Sequence, residues 1–320
     1  MYPSSFFAYA RERHAIYLRR EMGIPRDQLT EDPILQTYRF CNVFRELDTT
    51  TIWLRENVRE CLRDVPEVLM AIVVYRWFNR WQTGEVLFGP DVHSSPFQQF
   101  LLSGRTHVIR DTLRRKFPKG PYVTGSYIIK TPDGMTKLDG VCWSIGNFHR
   151  TGPGDRTWQQ IADHLLSCPE QQSTENVWGW LRMHRFLGDF MAYEIVSDLQ
   201  HTDLLCQASD IMTWANAGPG AVRGLNRLHA RKLEQKAPKK TQCLEMRELL
   251  EMSRNSCHWP QWDRESFVLD ADPPRDWDKY HLDAWPMWDM RTVEHTLCEF
   301  DKYERVRLGE GAPRQKFRRM

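Results

Sequence analysis

Four stretches of this chain place charged and amide side chains at spacings that suit chemistry on a phosphate or an amine. In YRFCNVFRELD, Arg39, Asn42 and Glu46 recur at helical spacing and so share a face, while Phe40, Val43, Phe44 and Leu47 turn toward a core. Arg39 and Arg45 beside the Asn42 amide can hold a phosphate or pyrophosphate bidentately, and Asp48 or Glu46 can orient them or accept a proton. The same spacing also describes a solvated helix face with ordinary ion pairs. In FLGDFMAYEIVSDL, Gly188 lies in a tight turn whose following helix would aim free N–H groups at a phosphate, and Asp210 lies further on as a carboxylate. The competing reading makes Gly188 a helix cap and Asp210 a surface N-cap. In GPGAVRGLNRLHAR, Gly218 and Gly220 would admit a ligand close to the main chain, with Arg223 and Arg227 as phosphate partners, or else form a plain loop before a basic helix. In RTVEHTLCEFDKYERVR, His295, Glu299 and Lys302 align on one helix face beside a stripe of Glu294, Cys298 and Asp301. Glu299 near a cation suits a general base toward an amine, or a simple pair with Lys302.

Helices must position most of these groups. Residues 33 to 80 read as helical, and PEVLMAIVVYRWFNRW from Pro66 is apolar nearly all round, which marks a core helix. The runs flanking Thr131-Pro132-Asp133-Gly134 predict a small β-hairpin. FHRTGPGDR reads as a loop, TWQQIADHLL restarts a helix, and RKLEQKAPKK reads as a solvated connector. The Trp-, Asp- and Pro-rich stretch at 255–290 has no clear period and is predicted to be irregular. Neither a repeat nor a composition shift divides the chain, so one helical domain over 1–320 is expected.

The chain has 320 residues and a formal net charge of +2, so phosphate binding must come from local clusters such as Arg305, Arg307, Arg314, Lys316, Arg318 and Arg319, unless these are only a solvated tail. Its eight cysteines include no CxxC pair, which predicts reduced thiols and no metal cluster. No apolar run matches a signal or a membrane span, so an intracellular protein, cytoplasmic or nuclear, without membrane contact is expected. GxxxxGK[ST], GxGxxG, GxSxG and HExxH are all absent, which argues against P-loop hydrolysis.

The order and wording of RFCNVFRELDTT, FLGDFMAYEIVSDL, GPGAVRGLNRL and EHTLCEFDKYERVR resemble the alpha-glutamyl/putrescinyl thymine pyrophosphorylase family, also described as amino acid:DNA transferases. That family is similar to the helical domain attached to hydroxymethyluracil DNA kinases. The resemblance implies a mainly α, helix-hairpin-helix DNA glycosylase-like fold. It also implies a transferase that displaces pyrophosphate from 5-pyrophosphomethyluracil in DNA with an amine or amino acid. Matching positions are Arg39, Asn42, Arg45 and Asp48; Gly188 and Asp210; Gly218, Gly220 and Arg223; and Glu294, His295, Glu299 and Lys302. The hairpin match is partial, because Phe186 stands where a first glycine would be and no lysine nucleophile follows Gly188. The absent P-loop sets this chain apart from the kinase fusions.

An extruded base would find stacking partners among Trp53, Trp214 or Tyr193. Asp48, Asp210 or Glu299 would deprotonate the amine, and Arg39, Arg45 or Arg223 would meet the pyrophosphate. No cofactor is demanded, though a divalent cation such as Mg²⁺ suits a pyrophosphate. The expected partners are DNA, a small amine and other base-modification enzymes. Two rivals stay open: a glycosylase for a modified pyrimidine, and a non-catalytic DNA-binding domain.

Overall fold

The computed structural model describes residues 3–125, 128–151, 156–259, 288–313 and 315–317. Most of the Trp-rich stretch (260–287), part of the predicted loop (152–155) and Arg314, Arg318 and Arg319 lie outside the described residues. The fold is mainly helical. In chain order the helices are α1 (Pro3–Glu21), α2 (Pro33–Thr37), α3 (Thr49–Leu54), α4 (Glu67–Phe78), α5 (Trp81–Phe88), α6 (Pro96–Ser103) and α7 (His107–Lys116). They continue with α8 (Lys137–Arg150), α9 (Trp158–Ser167), α10 (Thr174–Leu181), α11 (Gly188–Leu199), α12 (Pro219–Leu228), α13 (Lys239–Ser253) and α14 (Met290–Arg307). None of the helices among the described residues is long and apolar enough to cross a membrane. The chain divides into two compact units, Met1–Asp48 with Met212–Met320, and Thr49–Ile211.

The continuous unit is built on α4. Every residue from Val68 to Phe78 is buried, as its unbroken apolar sequence requires, and α8, α9 and α11 pack against it. Arg76 is the exception in that run. Its guanidinium donates to both carboxylate oxygens of Asp198 on α11, at 2.5 and 2.9 Å, and to the Asn79 amide oxygen at 2.6 Å, with both charged side chains almost fully buried.

The predicted hairpin is not formed. Its second run is α8, because the Thr136 hydroxyl accepts from the Asp139 N–H as an N-cap, and Leu138, Val141, Cys142 and Ile145 then bury a helical stripe. Capping outweighs the β-propensity of isolated Val and Cys. The predicted restart at TWQQIADHLL is α9, closed by a capping box between Thr157 and Gln160. Residues 231–238 are the expected connector.

The discontinuous unit joins α1, α2, α12, α13 and α14. The α12 helix lies close along α14 because glycines face it: a Cβ on Gly220 would stand 2.4 Å from Cys298 Sγ, and one on Gly224 2.6 Å from the Leu297 carbonyl oxygen. Those distances leave no room for a side chain.

The sequence spacing predicts a helix through residues 39–44, and here the structure differs. The chain leaves α2 at Tyr38 and runs without helical bonding to a single 3₁₀ turn, Arg45–Leu47. Side chains replace the missing helix ladder. Arg13 of α1 donates to the Phe40 carbonyl at 3.1 Å and to Asn42 Oδ1 at 2.7 Å, while Asn42 Nδ2 donates to the Leu47 carbonyl at 2.6 Å. The apolar positions keep their predicted role even so, since Leu35, Phe40, Val43, Phe44 and Leu47 are all buried.

Candidate functional site

Within the discontinuous unit the segment 40–48 lies along α14 and meets its polar stripe. Asn42 organises the meeting with its backbone: its N–H donates to Asp48 Oδ1 at 2.9 Å, and its carbonyl accepts from His295 Nε2 at 3.1 Å. One residue earlier, the Cys41 N–H donates to Glu299 Oε2 at 2.9 Å. Glu299 is also paired with Lys302 at 2.6 Å, one turn along the helix, and the ammonium of Lys302 sits 4.9 Å over the Phe40 ring. Cys41, Asp48 and His295 thereby bring one sulfur, one carboxylate oxygen and one imidazole nitrogen within 4.8 Å of one another.

The electrostatics of the cluster are uneven. Burial drives the Asp48 carboxyl up to about 6, against the opposing pull of the Asn42 N–H and Arg13. Burial also acts to raise Glu299, but Lys302, His295 and the Cys41 N–H overcome it and hold the carboxyl below its usual range. Glu299 is therefore ionised at neutral pH. Cys41 as a residue keeps exposed surface, while its thiol sits in a crowded, acidic setting where desolvation and then Glu299 and Asp48 push its pKa up.

The third stretch joins the same unit through α12. Gly218 donates its N–H to Glu294 Oε1 at 3.2 Å, and Glu294 pairs with Arg291 at 2.5 Å. Arg223 and Arg227 both point at the buried carboxylate of Asp301, at 2.8 and 2.9 Å, and Arg227 adds Glu310. Gly218 and Gly220 thus serve helix packing and capping rather than an open loop. Arg39 is exposed, its main chain bonded to the Gln315 carbonyl and its guanidinium 5.4 Å from the Phe317 ring. Arg45 is buried and adds a positive charge that favours Asp48 ionisation.

The second stretch belongs to the continuous unit. Gly188 opens α11 with φ of 61°, two residues after Phe186 with φ of 71°, so the turn contains two left-handed residues and one of them is bulky. Phe186 is held there by the edge of Trp143 and by the guanidinium of Arg185. Asp210 caps a helix that precedes it in the chain. Its carboxylate accepts from the Thr174 N–H at 2.7 Å, the Ser173 hydroxyl at 2.8 Å and the Glu175 N–H at 2.9 Å, all at the start of α10. Of the aromatic residues expected to stack on a base, Tyr193 is buried and Trp53 lies face to face with Tyr75 at 5.3 Å.

Residues 2–312 match the family described as 5-hmdU DNA kinase, helical domain. The chain belongs to that family. It is also 26% identical, over 242 residues, to the 5-hmdU DNA kinase of Bacillus phage SP10, a match covering 69% of this chain and 35% of the kinase. The chain thus spans about a third of the length of the curated relative it matches. No solved structure matches.

For this helical-domain family member, three of the four stretches read from the sequence meet in one compact unit, and Gly188 with Asp210 lie in the other. Sequence reasoning missed Arg13 and Cys41. Arg13 falls in register with Phe6, Ala10 and Tyr17 on the buried face of α1, and a charge on an otherwise apolar face was the available signal. Nothing local could have paired Cys41 with His295, because their meeting depends on segment 40–48 docking along α14.

Proposed function

We propose that this chain acts on a modified thymine base in DNA, as a transferase that replaces the pyrophosphate of 5-pyrophosphomethyluracil with an amine or amino acid. The observation that carries the reading is Glu299, an ionised and nearly buried carboxylate fixed by Lys302 and the Cys41 N–H, within a site assembled from stretches that resemble the transferase family. In that reaction the amine lone pair forms a C–N bond to the exocyclic methylene as the C–O bond to pyrophosphate breaks. The bonding pair leaves with pyrophosphate, and the proton of the ammonium adduct passes to Glu299. In this reading the Lys302 ammonium supplies positive charge toward the leaving group. DNA is the macromolecular partner in this reading, and the amine is the second substrate.

The geometry of Asp210 gives the glycosylase alternative less support, since its carboxylate already caps α10 through three donors. Incubating the full chain with DNA containing 5-pyrophosphomethyluracil and pooled amines, then weighing the products by mass spectrometry, separates the readings. An amine-adducted nucleoside supports the transferase. A released free base points to glycosylase chemistry, and unchanged but bound DNA to a non-catalytic domain.

A further inference from the structure

From the geometry of Cys41, Asp48 and His295 we infer a binding site for one divalent transition-metal ion of the zinc class, with one coordination position left for a substrate oxygen or water. Cys41 and Asp48 belong to segment 40–48 and His295 to α14, and the three donor atoms lie within 4.8 Å of one another. Around a tetrahedral zinc ion, ligands at about 2.0–2.3 Å stand roughly 3.3–3.8 Å apart. Closing the shell therefore needs side-chain shifts of about 1 Å.

Three further features suit a metal. The donors are already oriented by a second tier of bonds: Asp48 by the Asn42 N–H, the His295 ring by the Asn42 carbonyl, and the Cys41 main chain by Glu299. Because a carbonyl only accepts, the Asn42 contact is donated by His295 Nε2–H, which leaves Nδ1 as the ring nitrogen whose lone pair a metal ion would take. The charge also balances, since a thiolate and a carboxylate neutralise a divalent ion while Glu299 is already matched by Lys302. A sulfur, nitrogen and oxygen set selects zinc-like ions over Mg²⁺, which favours oxygen ligands alone. Three protein ligands with an open fourth position is the arrangement of catalytic rather than structural zinc. Binding of the ion is independent of the transferase reading. Its use, as a Lewis acid toward a pyrophosphate oxygen, rests on that reading.

The test is metal uptake by the full chain, stripped with chelator and then titrated with Zn²⁺ or Co²⁺ without DNA or amine. One equivalent is expected, with a thiolate-to-cobalt charge-transfer band. Cys41→Ser should abolish the band, and both Cys41→Ser and His295→Gln should weaken binding by at least about 10-fold, whereas Cys257→Ser should bind as the parent does. X-ray absorption of the zinc-loaded parent should show one sulfur among nitrogen and oxygen neighbours, a readout that does not depend on any variant folding. Uptake below one equivalent, a zinc shell without sulfur, or parent-like binding by Cys41→Ser overturns the site. Because substrate is absent, failure here leaves the transferase assay to be judged by its own products.

Discussion

Glu299 holds its charge because three neighbours outweigh its burial, and this makes it the residue whose removal is most informative. Glu299→Gln keeps size and the bond from Cys41 but removes the proton acceptor, so adduct formation should fall by about 10²-fold or more at equal folded fraction. Parent-like turnover would move that role elsewhere, first to Asp48. Asp210 is expected to behave differently. Its carboxylate serves two backbone N–H groups and a hydroxyl at the start of α10, and an amide offers only one acceptor oxygen. Asp210→Asn should cost about 1–2 kcal/mol in a urea melt, with turnover of the folded fraction preserved; an unchanged melt with turnover lost would restore it as a catalytic candidate. His184 supplies a pH signature. Burial against Phe148 and Trp180 lowers its pKa to about 4 from an ordinary 6.5. Because the folded form resists protonation, its contribution to stability is fully present above about pH 6.5 and is lost as pH falls toward 4. His184→Phe should flatten that limb of the stability profile, which in the parent amounts to as much as roughly 3 kcal/mol. Identical slopes in the two proteins would contradict the assignment.

At the scale of elements, the packing of α12 on α14 makes its own prediction. A methyl group at position 220 meets the Cys298 sulfur, whereas one at 224 meets a main-chain oxygen that a side-chain change cannot remove. Gly220→Ala and Gly224→Ala should both lower the melting temperature, and Cys298→Ala should restore part of the first loss and none of the second. Equal rescue of both would mean that α12 shifts as a body. The same two helices show what was legible in the sequence. The α14 stripe of His295, Glu299 and Lys302 and the apolar run of α4 follow from a 3.6-residue period that nothing nearby contests. In segment 39–44 the period correctly marks Phe40, Val43 and Phe44 as core, yet the helix is lost because Arg13 and the Asn42 side chain take the backbone partners. At α8 the run Val141-Cys142-Trp143 suggests a strand, and a threonine cap with a buried helical stripe decides otherwise. The glycines of α12 invite a ligand-loop reading, and only the neighbouring helix shows that they make room for Cys298 and Leu297. Local pattern determines which residues are buried more reliably than the element that buries them, because long-range polar bonds enter the second decision.

At the scale of the whole molecule, a net charge of +2 spread over 44 basic and 42 acidic residues provides no general attraction for DNA. On the proposed reading, DNA affinity has to arise from individual arginines whose charge is not already matched inside the protein. Arg227 is mostly buried between Asp301 and Glu310, so its charge serves the fold. Arg39 is exposed, its guanidinium lies 5.4 Å from the Phe317 ring, and among the described residues no buried carboxylate pair holds it, which leaves it accessible to a phosphate. Arg39→Ala should therefore weaken DNA binding about equally for unrelated sequences and make the slope of log K against log salt shallower by about 1. Arg227→Ala should instead lower the melting temperature, since it strands Asp301 with fewer partners, and leave the salt slope of the folded protein where it was. Titrating both variants and the parent against labelled duplexes across a salt series separates the two roles. If Arg39→Ala leaves the slope unchanged while Arg227→Ala reduces it, the phosphate-facing surface is the α12 side of the unit and not the segment after α2.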